Sequence, residues 1–423
     1  MLQDSLPRMT LRFVSAFGMV VLVFLAWCLS TRRDRFPWRA MAWGLGLQFI
    51  VGLLILRTEP GQQLFQGFQV AVDRFIAFAN AGNQLVFGPL ARPDAMGQAF
   101  GAGNEVLLAI TITGTIILVS AVSSLLYHYG ILQWVVKLMA WVMRRAMGTS
   151  GSETLAAAAN IFMGQTEAPL VIRPYLDRMT RSELFCLMTS GFATIAGGVL
   201  AVYTGVLRIP AGHLLTASVM SAPAALMIAK IMQPETDVSE TAAGAHRDPE
   251  RTTVNGMDAI CTGTADGLKL SLNVAAILIA FTALVALANA LLSVVAVKFG
   301  WNTVQPLQDV LGYLNAPFAL LMGIAPHDAL AVGRILGERI VLNEFFGYIS
   351  LSAQETRLDP RSYTLATYAL CGFANFGSVA IQIWGIGALA PTRRGDLAQL
   401  GIRAMVAGLL ACYLAACVAG ILT

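Results

Sequence analysis

Apolar runs long enough to cross a bilayer recur along this chain, and many end in arginine. A spanning helix needs about twenty such residues. Runs of that size lie at about 11 to 30, 38 to 56, 104 to 126, 183 to 206, 213 to 231, 258 to 297, 362 to 387 and 397 to 420. Two stretches are too polar to span. Residues 62 to 79 carry Gln63, Gln66, Asp73 and Arg74, and Ile131 to Met147 sets Trp134, Val135, Leu138, Met139 and Val142 against Lys137, Arg144 and Arg145. Helices lying at the interface are expected there. The first run has no A-x-A site and runs into Thr31-Arg32-Arg33-Asp34-Arg35, so it reads as a retained span and not a cleaved leader.

Two segments break the pattern. From Glu153 to Met179 a helix-forming start, with Ser152 as a candidate cap, is interrupted by Gly164-Gln165-Thr166-Glu167 and followed by Pro169 and Pro174. From Asp328 to Leu351 an apolar stretch holds Gly333, Arg334, Gly337, Glu338, Arg339, Asn343, Glu344 and Gly347. A charged side chain at the centre of a spanning helix costs about 2.5 to 3.5 kcal/mol unless it faces protein or water. Such segments are expected to dip into the membrane and return, lining a cavity with irregular backbone. Each is followed by a glycine-rich helix, and the motifs match: Gly191-Phe192-Ala193-Thr194 with Gly372-Phe373-Ala374-Asn375, and Thr166-Glu167 with Asn343-Glu344. The offsets, 372 − 191 = 181 and 344 − 167 = 177, are close enough to indicate a duplicated unit. Three spans separate the two broken segments, so the copies should enter from opposite faces as an inverted repeat.

Composition agrees with a polytopic membrane protein: of 423 residues 57% are hydrophobic and 12% charged. The net charge of +4 gathers beside apolar runs and speaks of orientation, not of nucleic acid. Arg32, Arg33, Arg35 and Arg39 place the first loop in the cytoplasm, and Arg393, Arg394 and Arg403 agree, whereas Arg357 and Arg361 do not. The six cysteines form no C-x-x-C pair and read as packing residues, with no metal or disulfide framework. The fold class is therefore all-α, with about eight transmembrane helices, two re-entrant helical hairpins and interfacial helices. The only clearly hydrophilic connection, Gln233 to Thr253, leaves no room for a soluble domain.

The side chains of the broken segments indicate the solute. Gln165, Asn343 and Asn375 pair donors with acceptors, as a heterocycle edge requires; Glu167 and Glu344 accept, and Thr166 and Ser378 can do either. Phe346 and Phe373 could supply an aromatic face, and no arginine stands in the central motifs. A neutral ring compound rich in hydroxyls and hydrogen-bonding groups fits best. Each residue also has a plainer use. Glu167 could pair with hairpin backbone, Glu344 with Arg339 or Arg334, and the amides could satisfy broken helix ends; Asp258 and Asp266 suit helix starts. An intramembrane hydrolase would need a nucleophile and base, and no Gly-x-Ser-x-Gly or His-Glu-x-x-His is present. The chain is not read as an enzyme. A carrier of nucleobases or amino acids, or a passive channel, stays open at this point.

Asn160 to Pro169, Gly191 to Val199, Asn255 to Val274 with Ala265-Asp266-Gly267, Leu342-Asn343-Glu344-Phe345 and Cys371 to Ser378 together resemble the signature stretches of concentrative nucleoside transporters of bacterial type. The resemblance covers nearly the whole chain. It implies sodium-coupled symport of nucleosides such as uridine or adenosine across the cell inner membrane, by an elevator movement, in a homotrimer. It implies that Gln165, Thr166, Glu167 and Val199 contact the base, that Glu344, Asn375 and Ser378 hold the ribose, and that Phe373 packs on the base. It implies a sodium ion ligated by the side chains of Asn160 and Thr194 and the carbonyls of Met163 and Ile195, with no other cofactor. Thr194 stands where the family often has serine, which retains the hydroxyl. Proton coupling is the alternative, since Glu167 and Glu344 can titrate. In domain terms, 1–130 is scaffold, 131–232 the first repeat of a transport domain, 233–300 the cytoplasmic loop with a long scaffold helix, and 301–423 the second repeat.

Overall fold

The computed structural model describes residues 8–101, 107–242, 253–298 and 305–423, and among them every regular element is helical. The start of the third apolar run (104–106), most of the polar loop (243–252) and the first residue of the amphipathic stretch read from Val304 lie outside the described residues. In chain order the helices are α1 (Arg8–Cys28), α2 (Trp38–Arg57), α3 (Glu59–Phe87), α4 (Pro93–Phe100), α5 (Leu108–His128), α6 (Ile131–Met147), α7 (Gly151–Ala159), α8 (Ala168–Val171), α9 (Arg181–Ala193), α10 (Gly197–Leu207), α11 (Ala211–Met232) and α12 (Gly256–Lys298). They continue as α13 (Pro306–Leu321), α14 (Ala329–Val341), α15 (Glu344–Ser352), α16 (Pro360–Leu370), α17 (Phe376–Leu389) and α18 (Arg394–Leu422).

Among the described residues seven stretches are long and apolar enough to span: Met9–Cys28, Trp38–Arg57, Ala109–His128, Arg181–Leu207, Ala211–Met232, Gly256–Val294 and Pro391–Leu422. The eighth expected run, 362 to 387, is cut by residues 371–375 into α16 and α17, neither long enough alone. The core sits where α9, α11 and α18 meet, three helices buried along most of their length. Alanine, glycine and cysteine dominate α18 from Ala404 to Gly420, which lets backbones approach closely where lipid offers no hydrophobic drive for helix association. The long α12 instead lies outside this core. Its fully buried residues, among those described, are Ala259, Gly263, Gly267 and Ser271, one small residue per turn, with Gly263 and Gly267 directly against α5.

Arginines close both ends of the bundle. At one end Arg12 donates to the Thr423 carbonyl (2.7 Å) and Arg57 to the Leu422 carbonyl (2.6 Å). Arg361 reaches the Gly323 carbonyl (3.3 Å) and the Ser15 and Thr423 hydroxyls (both 3.2 Å). At the other end Arg39 donates to the carbonyls of Arg145 and Ala146, and Arg403 to those of Leu29 and Met232. A guanidinium is well matched to the unpaired carbonyls that finish a helix. Arg361, which disagreed with the charge rule, is thus a helix clamp and not a loop charge.

One local expectation needs correction. Helix α7 starts one turn's fraction earlier than its candidate cap: Ser150 is the cap, its N–H donating to Glu153 (2.7 Å), while the Ser152 hydroxyl bonds Glu183 and Thr241. Helix α6 has the expected bounds, and it packs on the protein through Val136, Ala140, Met143 and Met147. Trp134, Leu138 and Val142 of its apolar face are exposed, as an interfacial helix that turns this face to lipid requires. In a membrane the largest apolar side chains suit lipid, and smaller ones suit helix contacts.

Candidate solute-binding site

The first hairpin is built from α7 and the short α8. After Ala159 the helix stops, and the Asn160 side-chain amide joins its own backbone N–H in donating to the Ala156 carbonyl (both 3.0 Å). Residues 160–167 then form tight turns, with Glu167 N–H on the Gly164 carbonyl (3.0 Å) and the Glu167 carboxylate accepting from Gly164 N–H (3.3 Å). Facing this tip is a second break. Helix α9 ends at Ala193, Thr194 and Ala196 are extended, and α10 begins at Gly197. The Gly197 N–H donates to the Phe162 carbonyl (3.0 Å), tying the hairpin tip to the break.

That junction is rich in oxygen. The Asn160 Oδ1 is buried with no hydrogen-bond partner among the described residues, and so are the hydroxyl oxygens of Thr189 and Ser190. Thr194 donates to the Ser190 carbonyl (2.9 Å), which leaves its oxygen able to face a cation. Unpartnered buried acceptors cost stability unless a donor or ion satisfies them. An amide oxygen, hydroxyls and the carbonyls of an unwound segment are what a hard cation takes. Asn160, Thr194 and Ile195 are all buried here, with Met163 half-buried at the tip.

The second hairpin is α14 and α15. Asn343 caps α15 by accepting from Phe346 N–H (3.2 Å), so its amide oxygen is committed to backbone. Glu344 occupies the first turn, where the helix N-terminus favours a carboxylate. It is buried and accepts from the Tyr203 hydroxyl (2.8 Å) and the Asn375 amide (3.2 Å). Arginine plays no part in these bonds. Arg334 pairs with Asp309, and the fully buried Arg339 donates to the Ala369 carbonyl and Cys412. Asn375 divides its work: its oxygen caps α17 through Ser378 N–H (2.8 Å) while its nitrogen holds Glu344.

The hairpins are joined through α17. Gln165 donates to the Ser378 hydroxyl (3.1 Å) and accepts from Gln382 (3.0 Å), which also donates to the Met188 carbonyl of α9 (3.2 Å). A continuous buried circuit therefore runs from Met188 through Gln382, Gln165, Ser378, Asn375 and Glu344 to Tyr203. The two broken helices also touch. A Cβ on Gly372 would stand 2.5 Å from the Phe192 carbonyl oxygen, so only glycine admits this approach. Thr166 and Glu167 are exposed beside the circuit, Thr166 against Gly385, and Val199 and Phe373 are half-buried beside the breaks.

Residues 17–90 match the N-terminal region, and 213–420 the C-terminal region, of the family described as Na+ dependent nucleoside transporter; 109–210 match a region described as nucleoside recognition. An uncharacterized transporter of Bacillus subtilis, YutK, is 39% identical over 95% of this chain and 97% of its own. CNTnw, solved in an inward-facing substrate-bound state, shares 36% identity with a TM-score of 0.90, covering 97% of both chains. A double variant of CNTnw in an outward-facing state is similar, at 35% identity and a TM-score of 0.91, over 98% of this chain and 99% of that one. The chain belongs to the sodium-dependent nucleoside transporter family. Solute carrier family 28 member 3 of Eptatretus stoutii is 40% identical over 99% of this chain, which spans 62% of that relative's length. The described residues of this family member include seven stretches long and apolar enough to cross a membrane.

Two members of the circuit in this transporter escape the sequence reading, Tyr203 and Gln382. Each had a signal. A tyrosine hydroxyl buried in a membrane needs a partner, and an amide four residues beyond Ser378 on an otherwise apolar helix is costly unless it faces protein.

Proposed function

We propose that this protein moves nucleosides such as uridine or adenosine into the cell together with sodium, from the plasma membrane, by an elevator-type alternating-access cycle. The observation that carries this is the circuit joining the two hairpins, Gln165 to Ser378 and Asn375 to Glu344. In this reading Gln165, Thr166 and Glu167, with Val199, meet the base, Phe373 packs on it, and Glu344, Asn375 and Ser378 hold the ribose. A site whose own buried groups need the ribose hydroxyls rejects free bases, because those groups are otherwise left unpaired. Sodium sits between Asn160, Met163, Thr194 and Ile195, where the Asn160 oxygen has no partner among the described residues.

The hairpins enter from opposite leaflets as an inverted repeat, with residues 131–232 and 301–423 forming the moving domain and the remainder the scaffold. Copies associate as a homotrimer, which the outward apolar residues of α12, among them Leu272, Ile279, Leu287 and Leu291, would accommodate. One sodium moving inward with a neutral nucleoside gains about 2.3 kcal/mol per 100 mV. That corresponds to about fortyfold accumulation. Uridine uptake into proteoliposomes under an imposed sodium gradient tests the reading, repeated with a pH gradient alone. Accumulation only with sodium is expected; accumulation driven by the pH gradient, or none with either, would overturn it.

A further inference from the structure

We propose that Gln382 fixes which end of the Gln165 amide faces the solute, so that the site offers an N–H to the base and selects nucleosides whose base carries a carbonyl beside a ring N–H. This rests on the functional reading above, in which Gln165 meets the base.

The two ends of an amide are alike in shape, and only their partners say which is which. Gln382 is fully buried, and one end of its amide lies 3.2 Å from the Met188 carbonyl and 3.0 Å from the Gln165 amide. A carbonyl can only accept, so the end of Gln382 facing Met188 must be the nitrogen. That nitrogen has a second hydrogen, and the atom of Gln165 receiving it must be oxygen. The far end of Gln165 is then its NH2 group. One of its hydrogens is on the Ser378 hydroxyl at 3.1 Å, and the other is left for a ligand. Having accepted there, Ser378 keeps its own hydrogen to donate.

Gly191 makes the arrangement possible. A Cβ at that position would stand 2.8 Å from the Gln382 nitrogen and 3.1 Å from the Gln165 Cβ. The chain that orients Gln165 thus begins in backbone, which no rotamer change can reverse. Two residues along the hairpin, Glu167 is exposed and supplies an acceptor. With the Gln165 N–H at the exocyclic position and the Glu167 carboxylate at the ring nitrogen, the pair complements the imide edge of uracil, thymine and hypoxanthine, N–H to carbonyl and carboxylate to ring N–H. Cytosine and adenine reverse that order, with an amino group at the exocyclic position and a bare nitrogen in the ring, which would set N–H against N–H at Gln165 and lone pair against lone pair at Glu167.

The test measures KM and Vmax for uridine, cytidine, inosine and adenosine in proteoliposomes holding the unmodified transporter, Gln382→Met and Gly191→Ala. The unmodified protein should favour uridine over cytidine and inosine over adenosine by about tenfold or more in Vmax/KM, as expected where a site's polar groups are mismatched. Gln382→Met frees the amide to turn over and should bring both ratios to within about twofold of unity, acting on KM more than on Vmax. Gly191→Ala should move the ratios the same way by displacing the Gln382 amide, and it stands as the test if the methionine variant does not fold. Equal loss for all four nucleosides in both variants would assign Gln382 a packing role and overturn the inference alone. Ratios near one in the unmodified protein would do the same. Failure of the unmodified protein to accumulate any of the four would overturn the functional reading and this inference with it.

Discussion

The hydroxyl of Tyr203 on α10 donates to the carboxylate of Glu344 on the second hairpin at 2.8 Å, across 141 residues of sequence. The Tyr203 ring lies 4.5 Å from that of Tyr348 and 5.8 Å from that of Phe345, so the donor is held by packing on the same hairpin it addresses. Tyr203→Phe should remove one hydrogen bond to a charged group, worth about 1.5 to 3 kcal/mol. The expected result is a rise of about tenfold in KM for uridine, and a smaller penalty for nucleosides lacking a ribose hydroxyl, read from initial uptake rates.

Glu344→Gln keeps the shape and removes the charge that Tyr203 and Asn375 both address. Uptake of uridine should fall at least about a hundredfold, because buried donors are left facing a poorer acceptor. Insertion and monodispersity in detergent should be preserved. Near-normal uptake would contradict the ribose assignment.

Asn160→Ala deletes the buried oxygen that has no partner among the described residues, together with the amide bonded to the Ala156 carbonyl. The sodium concentration for half-maximal uptake should rise at least about tenfold, consistent with loss of one oxygen ligand from a hard-cation site. A shift in nucleoside KM at saturating sodium with unchanged sodium dependence would place Asn160 outside the ion site.

Lys230 and Glu153 form a buried pair at 2.8 Å, with Ser182 also on the ammonium at 2.9 Å. Lys230→Met leaves a buried carboxylate without its counter-charge and should cost about 3 to 5 kcal/mol. Thermal unfolding in detergent should show it, and adding Glu153→Gln should recover most of the loss. A single variant as stable as the parent would mean that water reaches this pair.

Gly372→Ala forces a methyl against the Phe192 carbonyl between the two helix breaks. A destabilisation of about 1 to 3 kcal/mol is expected from overpacking where only backbone could give way. Gly395, on α18, has nothing within 4 Å of its Cβ position, and Gly395→Ala should be neutral or stabilising by up to about 1 kcal/mol. Equal thermal shifts in the two variants would argue against close contact of the breaks.

What the sequence determined by itself is local. The apolar runs, the interruptions at Gly164 to Glu167 and Leu342 to Glu344, and the bounds of α6 follow from hydropathy, capping and glycine placement, which act within a few residues. Family membership was legible for the same reason, since its motifs are short and ordered along the chain. Tertiary structure alone decided which face of α6 is buried, that Ser150 and not Ser152 caps α7, and that Arg361 clamps a helix end. It alone brought Gln382 to Gln165 across 217 residues and Tyr203 to Glu344. A polar side chain in an apolar helix announces that it needs a partner. Which one it finds depends on how distant helices cross, and no pattern along the chain encodes that.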